Sequence, residues 1–381
     1  MNSHYRPMNS HYLLPCLLTG LITLSSALAL EPLVDSSQAL MAQQAKRTIN
    51  KSDSNNDGKL QQDELEKNWK KYARYDKDKD GALDFDELKL FRDTSIDSPG
   101  KKLLNVRFKE VGERGVYLDF YFPDQDTSTD KPVVIFTHGG GWATGSKGKA
   151  GSGSFKQVHR ALLQEGFCVL SVGYRLVNKE GDTAMRDCVI DCKDALRFIS
   201  AHQKELGIDP KKIYPFGDSA GGHLAQMILF SSPETLKGDP ELAKHSYQTV
   251  AGVSWYGPCD FQDVQLFNHD DRENFRDRFG ARIMGKDAKP EDKEKLYQEM
   301  SPVHYLTKDS PPLLMIQGDK DTTIPVKQAY RMQEALKTIA APVEIQIVKN
   351  SGHNWRSVDA PIEPTRKEIT QATIDFFLEN R

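Results

Sequence analysis

The 381-residue sequence predicts an α/β fold: an eight-stranded, mostly parallel sheet with helices on both faces, preceded by a small all-α module. Three observations predict it. From Leu103 onward, apolar runs alternate with helical stretches, the rhythm of strands joined by helical crossovers. Val133 to Phe136 and Leu313 to Ile316 are uninterrupted apolar runs, as a strand covered on both faces requires. Residues 31–98, by contrast, are polar and charged, lack strand-like runs, and concentrate Asp between 53 and 87.

The chain is read as four parts: a leader (1–29), the all-α module (36–95), a linker (96–102) and the α/β domain (103–381). In the leader, Arg6 precedes an apolar stretch from Leu13 to Leu30, and Ala27-Leu28-Ala29 offers a small-x-small cleavage site. Thr19, Gly20, Thr23, Ser25 and Ser26 weaken that stretch as a membrane span, and no charged stop-transfer follows. The expectation is a secreted or periplasmic protein with no stable membrane span after cleavage. The repeated MNSHY leaves both Met1 and Met8 as possible starts. Lys and Arg total 51 against 54 Asp and Glu, so nothing in the charge favours a nucleic-acid partner. Beyond the leader, Cys168, Cys188, Cys192 and Cys259 are too few for a disulfide scaffold.

Within the module, Asp53-Ser-Asn55-Asn-Asp57-Gly58-Lys59-Leu60-Gln-Gln-Asp-Glu64 satisfies the EF-hand loop pattern, and so does Asp76-Lys-Asp78-Lys-Asp80-Gly81-Ala82-Leu83-Asp84-Phe-Asp-Glu87. A hard cation needs six or seven oxygens. Positions 1, 3 and 5 supply carboxylates or an amide, position 7 its backbone carbonyl (Lys59, Ala82), and the closing glutamate binds through both oxygens. The glycine makes the sharp bend. Two matches only 23 residues apart argue against an acidic linker that fits by accident. Leu60 and Leu83 at position 8 suit a short β contact between the loops. Only Leu65 to Tyr75 separate the loops, about 16 Å of helix. A single helix with Leu65, Trp69 and Tyr72 as its apolar stripe is therefore expected to serve both hands. Calcium is the expected cofactor, and the second loop, richer in carboxylates, is expected to bind it more tightly.

In the α/β domain, candidate strands are 103–110, 116–122, 132–137, 167–173, 212–216, 249–255, 313–317 and 343–348. Helices are expected at about 154–165, 184–206, 220–231, 326–339 and 364–379. Gly217-Asp-Ser219-Ala220-Gly221 follows a strand and opens a helix, the setting of a nucleophile elbow. His138-Gly139-Gly140-Gly141-Trp142 ends another strand, and its glycines suit backbone N–H donors to an oxyanion, with Ala220 as a further donor. Asp319 and Asp321 follow the strand at 313–317, and His353 the strand at 343–348. Either acid could orient His353, which would take the Ser219 proton. His245, His269 and His304 lie outside such post-strand positions, and His223, one turn into its helix, is read as a packing residue.

Residues 103–381 resemble the α/β-hydrolases of the hormone-sensitive-lipase-like group, above all the bacterial enzymes grouped with bifunctional feruloyl and acetyl-xylan esterases. HGGGWATGSK (138–147), SVGYRL (171–176), GDSAGGHLA (217–225), GDKDTTIP (318–325) and SGHNW (351–355) carry the likeness. It implies an α/β-hydrolase fold and a serine carboxylic-ester hydrolase with Ser219, Asp321 and His353 as triad. It selects Asp321 because the family's acid precedes x-x-[VI]-P. It implies oxyanion donors at Gly140, Gly141 and Ala220, with Trp142 lining the acyl site, and an ester substrate. Because acidic loops stand where lipase-like relatives carry a helical cap, an open site suited to short acyl groups on carbohydrate or other polar esters is expected. After Tyr174-Arg175-Leu176 this sequence lacks the family's proline-containing stretch, so that wall of the pocket differs. A charged stretch, Phe261 to Met300, is expected to form a small helical lid. A serine peptidase of similar fold is a rival that such peptidases' usual β-propeller-sized domain disfavours here. A non-catalytic calcium-dependent binding protein is a second rival, disfavoured by the complete Ser, Asp and His set.

Overall fold

The structure, a computed structural model, describes residues 37–66, 69–92, 95–125 and 129–381. The expected leader lies outside these residues. The eight strands are β1 Lys102–Val111, β2 Arg114–Tyr121, β3 Lys131–Thr137, β4 Cys168–Val172, β5 Ile208–Asp218, β6 Gly252–Trp255, β7 Leu313–Gly318 and β8 Val343–Val348. They form one sheet in the order β8-β7-β6-β5-β3-β4-β2-β1. β2 runs antiparallel to both β1 and β4, and every other neighbouring pair is parallel.

The apolar runs are explained by two cores. Alternate side chains of a strand point to opposite faces. Val133 and Ile135 of β3 enter a core with Cys188, Ala195, Leu224 and Met227, whereas Val134 and Phe136 enter another with Phe155, Leu162, Ile369 and Phe377. Helices α2 (Met185–Ala201) and α3 (Ala220–Phe230) cover the first face, and α1 (Gly153–Gln164) and α5 (Arg366–Glu379) the second. Helix α4 (Lys327–Thr338) packs Ala329, Met332 and Leu336 on Leu313 and Met315 of β7. All four apolar residues from Val133 to Phe136 are fully buried, each worth roughly 1.5–3 kcal/mol of apolar transfer. This sandwich fixes the carboxyl ends of β3, β5, β7 and β8 side by side, where ligands sit in such sheets. Cys188, Cys192 and Cys259 are buried free thiols, and Cys168 is buried as well. No helix among the described residues is long and apolar enough to cross a membrane.

Two expectations need correction. The Phe261–Met300 stretch is helical only in short pieces, chiefly Gly280–Met284 and Lys293–Glu299. Its polar residues bond the backbone instead of leaving it to a helix: the Asn268 side chain donates to the Arg272 carbonyl and accepts the Arg272 amide. Buried Phe261, Phe267 and Phe279 anchor it. In the module, the two loops do pair through Leu60–Gln61 and Ala82–Leu83, with Leu60 opposite Leu83. The single linking helix does not form, however; Gln62–Leu65 ends at Glu66, whose φ of 44° no helix accepts, and helix resumes at Trp69–Tyr72. Leu65, Trp69 and Tyr72 nevertheless share one small core with Ala45 and Leu88.

Candidate active site

Ser219 stands between β5 and α3 with φ 53° and ψ −120°, a conformation that costs on the order of 1–3 kcal/mol for a residue bearing a Cβ. Its amide donates to the Trp255 carbonyl at 2.8 Å, which ties the elbow to β6. The tight turn also needs Gly221: a Cβ there would stand 1.9 Å from the Thr137 carbonyl oxygen. Sequence and strain together push the hydroxyl out of the sheet.

The imidazole of His353 meets that hydroxyl. His353 Nε2 lies 3.0 Å from Ser219 Oγ, and His353 Nδ1 lies 2.7 Å from Asp321 Oδ2. The Asp321 carboxyl is fully buried and accepts the amides of Thr323 (2.8 Å) and Ile324 (2.9 Å) on Oδ1 and the Gln317 side-chain amide (3.2 Å) on Oδ2. Those donors fix the plane in which it receives Nδ1–H. Asp319, the rival acid, faces elsewhere. Its Oδ1 accepts the Ser351 amide at 3.1 Å, so it pins the loop that carries His353 rather than the imidazole itself.

Opposite the hydroxyl lies the glycine loop after β3. Gly140 has φ 132°, and a Cβ there would stand 2.1 Å from the Thr144 carbonyl oxygen, so only glycine permits this turn. The Gly140 carbonyl accepts the amides of Ala143 (3.2 Å) and Thr144 (3.0 Å). Among the described residues, the amides of Gly140, Gly141 and Ala220 donate to no protein acceptor. Gly140 and Gly141 border the same cleft as Ser219, and Ala220 follows it in the chain, so three N–H groups without a protein acceptor gather at that serine.

Two residues absent from the sequence-level site organise that loop. Asp218 is fully buried; its Oδ1 accepts the Gly139 amide at 2.8 Å and its Oδ2 meets Lys149 Nζ at 2.6 Å. A buried carboxylate at the very turn that carries Ser219 was visible in the sequence, but not the lysine that balances it. Trp142 adds a packing role to the expected one. It borders the cleft, yet it is only 1 % exposed, with its indole N–H donating to His223 Nδ1 at 3.2 Å. His223 in turn donates Nε2–H to the Met300 carbonyl at 2.8 Å, and burial pushes its pKa down to about 4. His223 thus packs, as expected, and Trp142 supports the wall more than it meets solvent.

The resulting cleft of about 690 Å³ is bordered by Gly140, Gly141, Ser219, Phe279, Arg282 and His353. Chemically, the arrangement offers a hydroxyl with a base in reach, a buried acid behind the base, and amides placed to receive negative charge.

The module holds a second cluster. Carboxylate oxygens of Asp76, Asp78 and Asp80 all lie within 4.8 Å of one another. Asp53 Oδ1 and Asp76 Oδ1 are buried with no hydrogen-bond partner, an orphaning that a cation would relieve. Glu64 and Glu87 fold back over their loops, Glu64 onto the Ser54 and Gln61 amides and Glu87 onto those of Lys77 and Asp84. Asn55 Oδ1 and Asp57 Oδ1 cap the first loop's Asp57 and Lys59 amides, and the Lys59 ammonium reaches Asp80 of the other loop at 2.5 Å. Ala82 is buried at position 7. An all-oxygen donor set of this kind fits a hard divalent cation.

Residues 118–336 match the family model described as BD-FAE. The chain is similar to the probable carboxylic ester hydrolase LipM of Mycobacterium tuberculosis, 28 % identical over 254 residues, covering 66 % of this chain and 54 % of that protein. It is similar to esterase LipC of the same organism, 29 % identical over 244 residues, covering 62 % and 57 %. The chain thus spans about half the length of the curated relatives it matches. Among solved structures, a truncated carbohydrate esterase from gut microbiota superposes with TM-score 0.61 at 24 % identity, over 75 % of this chain and 98 % of that one. The apo form of Thermogutta terrifontis esterase 2 does so with TM-score 0.58 at 22 % identity, over 75 % and 96 %. These likenesses show the α/β-hydrolase fold. The family match spans more than half of the chain and includes both the glycine loop and Asp321: this protein belongs to the BD-FAE family.

Proposed function

We propose that the protein is a secreted or periplasmic serine carboxylic-ester hydrolase that removes short acyl groups from carbohydrate or other polar esters. The observation that carries the reading is the 3.0 Å and 2.7 Å relay from Ser219 through His353 to Asp321, beside three unpaired amides. Ser219 Oγ attacks the acyl carbon as its proton passes to His353 Nε2. The carbonyl oxygen becomes an oxyanion received by the N–H groups of Gly140, Gly141 and Ala220. The C–O bond to the alcohol then breaks, the alcohol leaves with the His353 proton, and an acyl-serine remains. Water, deprotonated by the same imidazole, cleaves it. Asp321 holds the imidazole in the tautomer with Nδ1–H. The esterase names of the relatives support the reaction type, and an exposed, polar-edged cleft supports small acyl groups on bulky polar partners. The apolar leader supports export.

The test is direct. The protein is expected to hydrolyse p-nitrophenyl acetate and to lose that activity when phenylmethylsulfonyl fluoride adds one sulfonyl group, located by peptide mass spectrometry on Ser219. Absence of turnover, or inactivation through another residue, defeats the reading.

The module is proposed to be an EF-hand pair binding structural calcium through Asp53, Asn55, Asp57, Lys59 carbonyl and Glu64, and through Asp76, Asp78, Asp80, Ala82 carbonyl and Glu87. Bound calcium would cross-link each loop's ligands. The second loop carries carboxylates at positions 1, 3, 5 and 12, and Asp84 at 9. Calorimetric titration is therefore expected to lose more affinity in Glu87→Gln than in Glu64→Gln; the reverse order would contradict the ranking.

A further inference from the structure

We infer that Arg282 makes the site selective for esters that carry a carboxylate near the scissile bond. The inference rests on the esterase reading above and adds a substrate class to it.

Arg282 lies on the short Gly280–Met284 helix of the insertion, among the residues bordering the cleft. Its guanidinium is built into place. It stacks over Phe279, itself buried, at 5.5 Å from the ring centroid, and its backbone amide donates to the Phe279 carbonyl at 2.9 Å. It also overhangs the glycine loop: a Cβ on Gly141 would lie 3.5 Å from Nη1 and 3.7 Å from Cζ. The cation thus stands in van der Waals reach of a residue proposed to bind the oxyanion.

Charge bookkeeping within the cleft makes this cation unusual. Lys149, the other cation of the lining, is committed to Asp218 at 2.6 Å. Asp321 is committed to His353. Among the described residues, no carboxylate and no other hydrogen-bond acceptor takes the Arg282 guanidinium, and Asp218 is the only carboxylate among the cleft's lining residues. Arg278 stacks over the same Phe279 ring at 5.7 Å and, among the described residues, donates to the carbonyls of Thr322 and Thr323. Two guanidinium groups thus gather about one ring, and Arg282, the one that borders the cleft, has no ion pair with a carboxylate of the described residues. A guanidinium offers a planar fork of donors matched to a carboxylate, and an aromatic face beneath it reduces the freedom lost on binding. An acylated uronate or an aromatic acid ester has the required chemistry: a hydrolysable ester and an acid group on one small frame.

The test compares each acid with its own methyl ester, so that size and leaving group stay nearly constant. 4-Acetoxybenzoate places the acid on the alcohol side, and monophenyl succinate on the acyl side. In the full-length protein, at least one acid is expected to exceed its methyl ester in kcat/KM by about tenfold, through KM, as a well-formed charge pair allows. Raising the ionic strength to about 0.5 M should erode that preference. Arg282→Gln should abolish the preference and Arg282→Lys should keep part of it. Two results overturn the inference while leaving the esterase reading intact: hydrolysis of the methyl esters with no preference for either acid, or an equal fall of acid and methyl ester in Arg282→Gln. The latter would assign Arg282 to oxyanion stabilisation or to packing. Failure to hydrolyse any of the four esters would defeat the reading on which the inference stands. The wild-type comparison can overturn the inference even where Arg282→Gln does not fold, and Arg282→Lys supplies a second variant.

Discussion

Asp321→Asn is expected to lower kcat on p-nitrophenyl acetate by about ten-thousandfold, and Ser219→Ala by at least as much, while Asp319→Asn changes it by less than about threefold. The large effects follow from the relay. Asparagine at 321 keeps the volume and could still accept the Thr323 and Ile324 amides, so the loop survives. Its NH2 group, however, would face Nδ1 as a donor and drive the imidazole proton to Nε2, which can then no longer accept from Ser219. The reaction would retain only the amide donors and the bound geometry. Asp319 makes a different bond, to the Ser351 amide, and the Oδ1 of asparagine can keep it. Circular dichroism of the three variants should match the parent. Equal losses at 319 and 321 would show that the acid had been misassigned.

The distinction between these two aspartates marks how far the sequence could be read. All eight strands fall on the runs that predicted them: β3, β4, β6 and β7 are buried along their whole length and so must be largely apolar, whereas β1 and β8 alternate apolar with polar residues. Ser219, Asp321 and His353 stand at strand ends, so locating the strands located them. Choosing Asp321 over Asp319 by spacing alone was not possible: both follow β7, and only the turn that brings the Thr323 and Ile324 amides round to one carboxylate separates them. The Asp218–Lys149 pair joins residues 69 apart, and no local pattern announces such a partner. Trp142 carries, beside its place on the cleft, a packing role that no motif announces. An aromatic residue after a glycine loop suggests a surface for substrate, but a φ of 60° turns it inward onto His223 and Phe261. The insertion reads as helix from its charged composition, and the segment between the two acidic loops from its length and its apolar stripe, whereas Asn268 and Glu66 follow local bonds and dihedrals that compete with helix.

Stability is expected to fall steeply as pH drops from about 6.5 to about 4, because three buried histidines must acquire protons on unfolding. Burial pushes His138, His159 and His223 each down to about 4. The direction follows from linkage: between the folded value near 4 and the unfolded value near 6.5, the unfolded chain binds more protons, so lowering pH favours it. Above about pH 6.5 both states are neutral at these sites and the stabilisation is complete; below about pH 4 the loss levels off. Each group is worth roughly 3 kcal/mol, and three together approach the whole stability of an ordinary domain. The structure gives each penalty a local cause. His159 donates Nδ1–H to the Ala150 carbonyl, and its Nε2 is buried with no partner, so a second proton there would be unsatisfied among Phe136 and Phe216. His223 accepts the Trp142 indole N–H on Nδ1, and protonation would set two donors face to face. His138 is stacked on Tyr174 at 4.2 Å and donates to the Gly139 carbonyl, so its charging would also disturb the glycine loop beside Ser219. Urea midpoints measured from pH 7 to pH 5 separate this effect from carboxylate titration, most of which lies lower. Stability should fall across that interval with a slope approaching three protons, and by about one proton less in His159→Asn. A flat profile between pH 6.5 and pH 5 would mean that these imidazoles are either already charged in the native protein or never need to charge, and would sink the account.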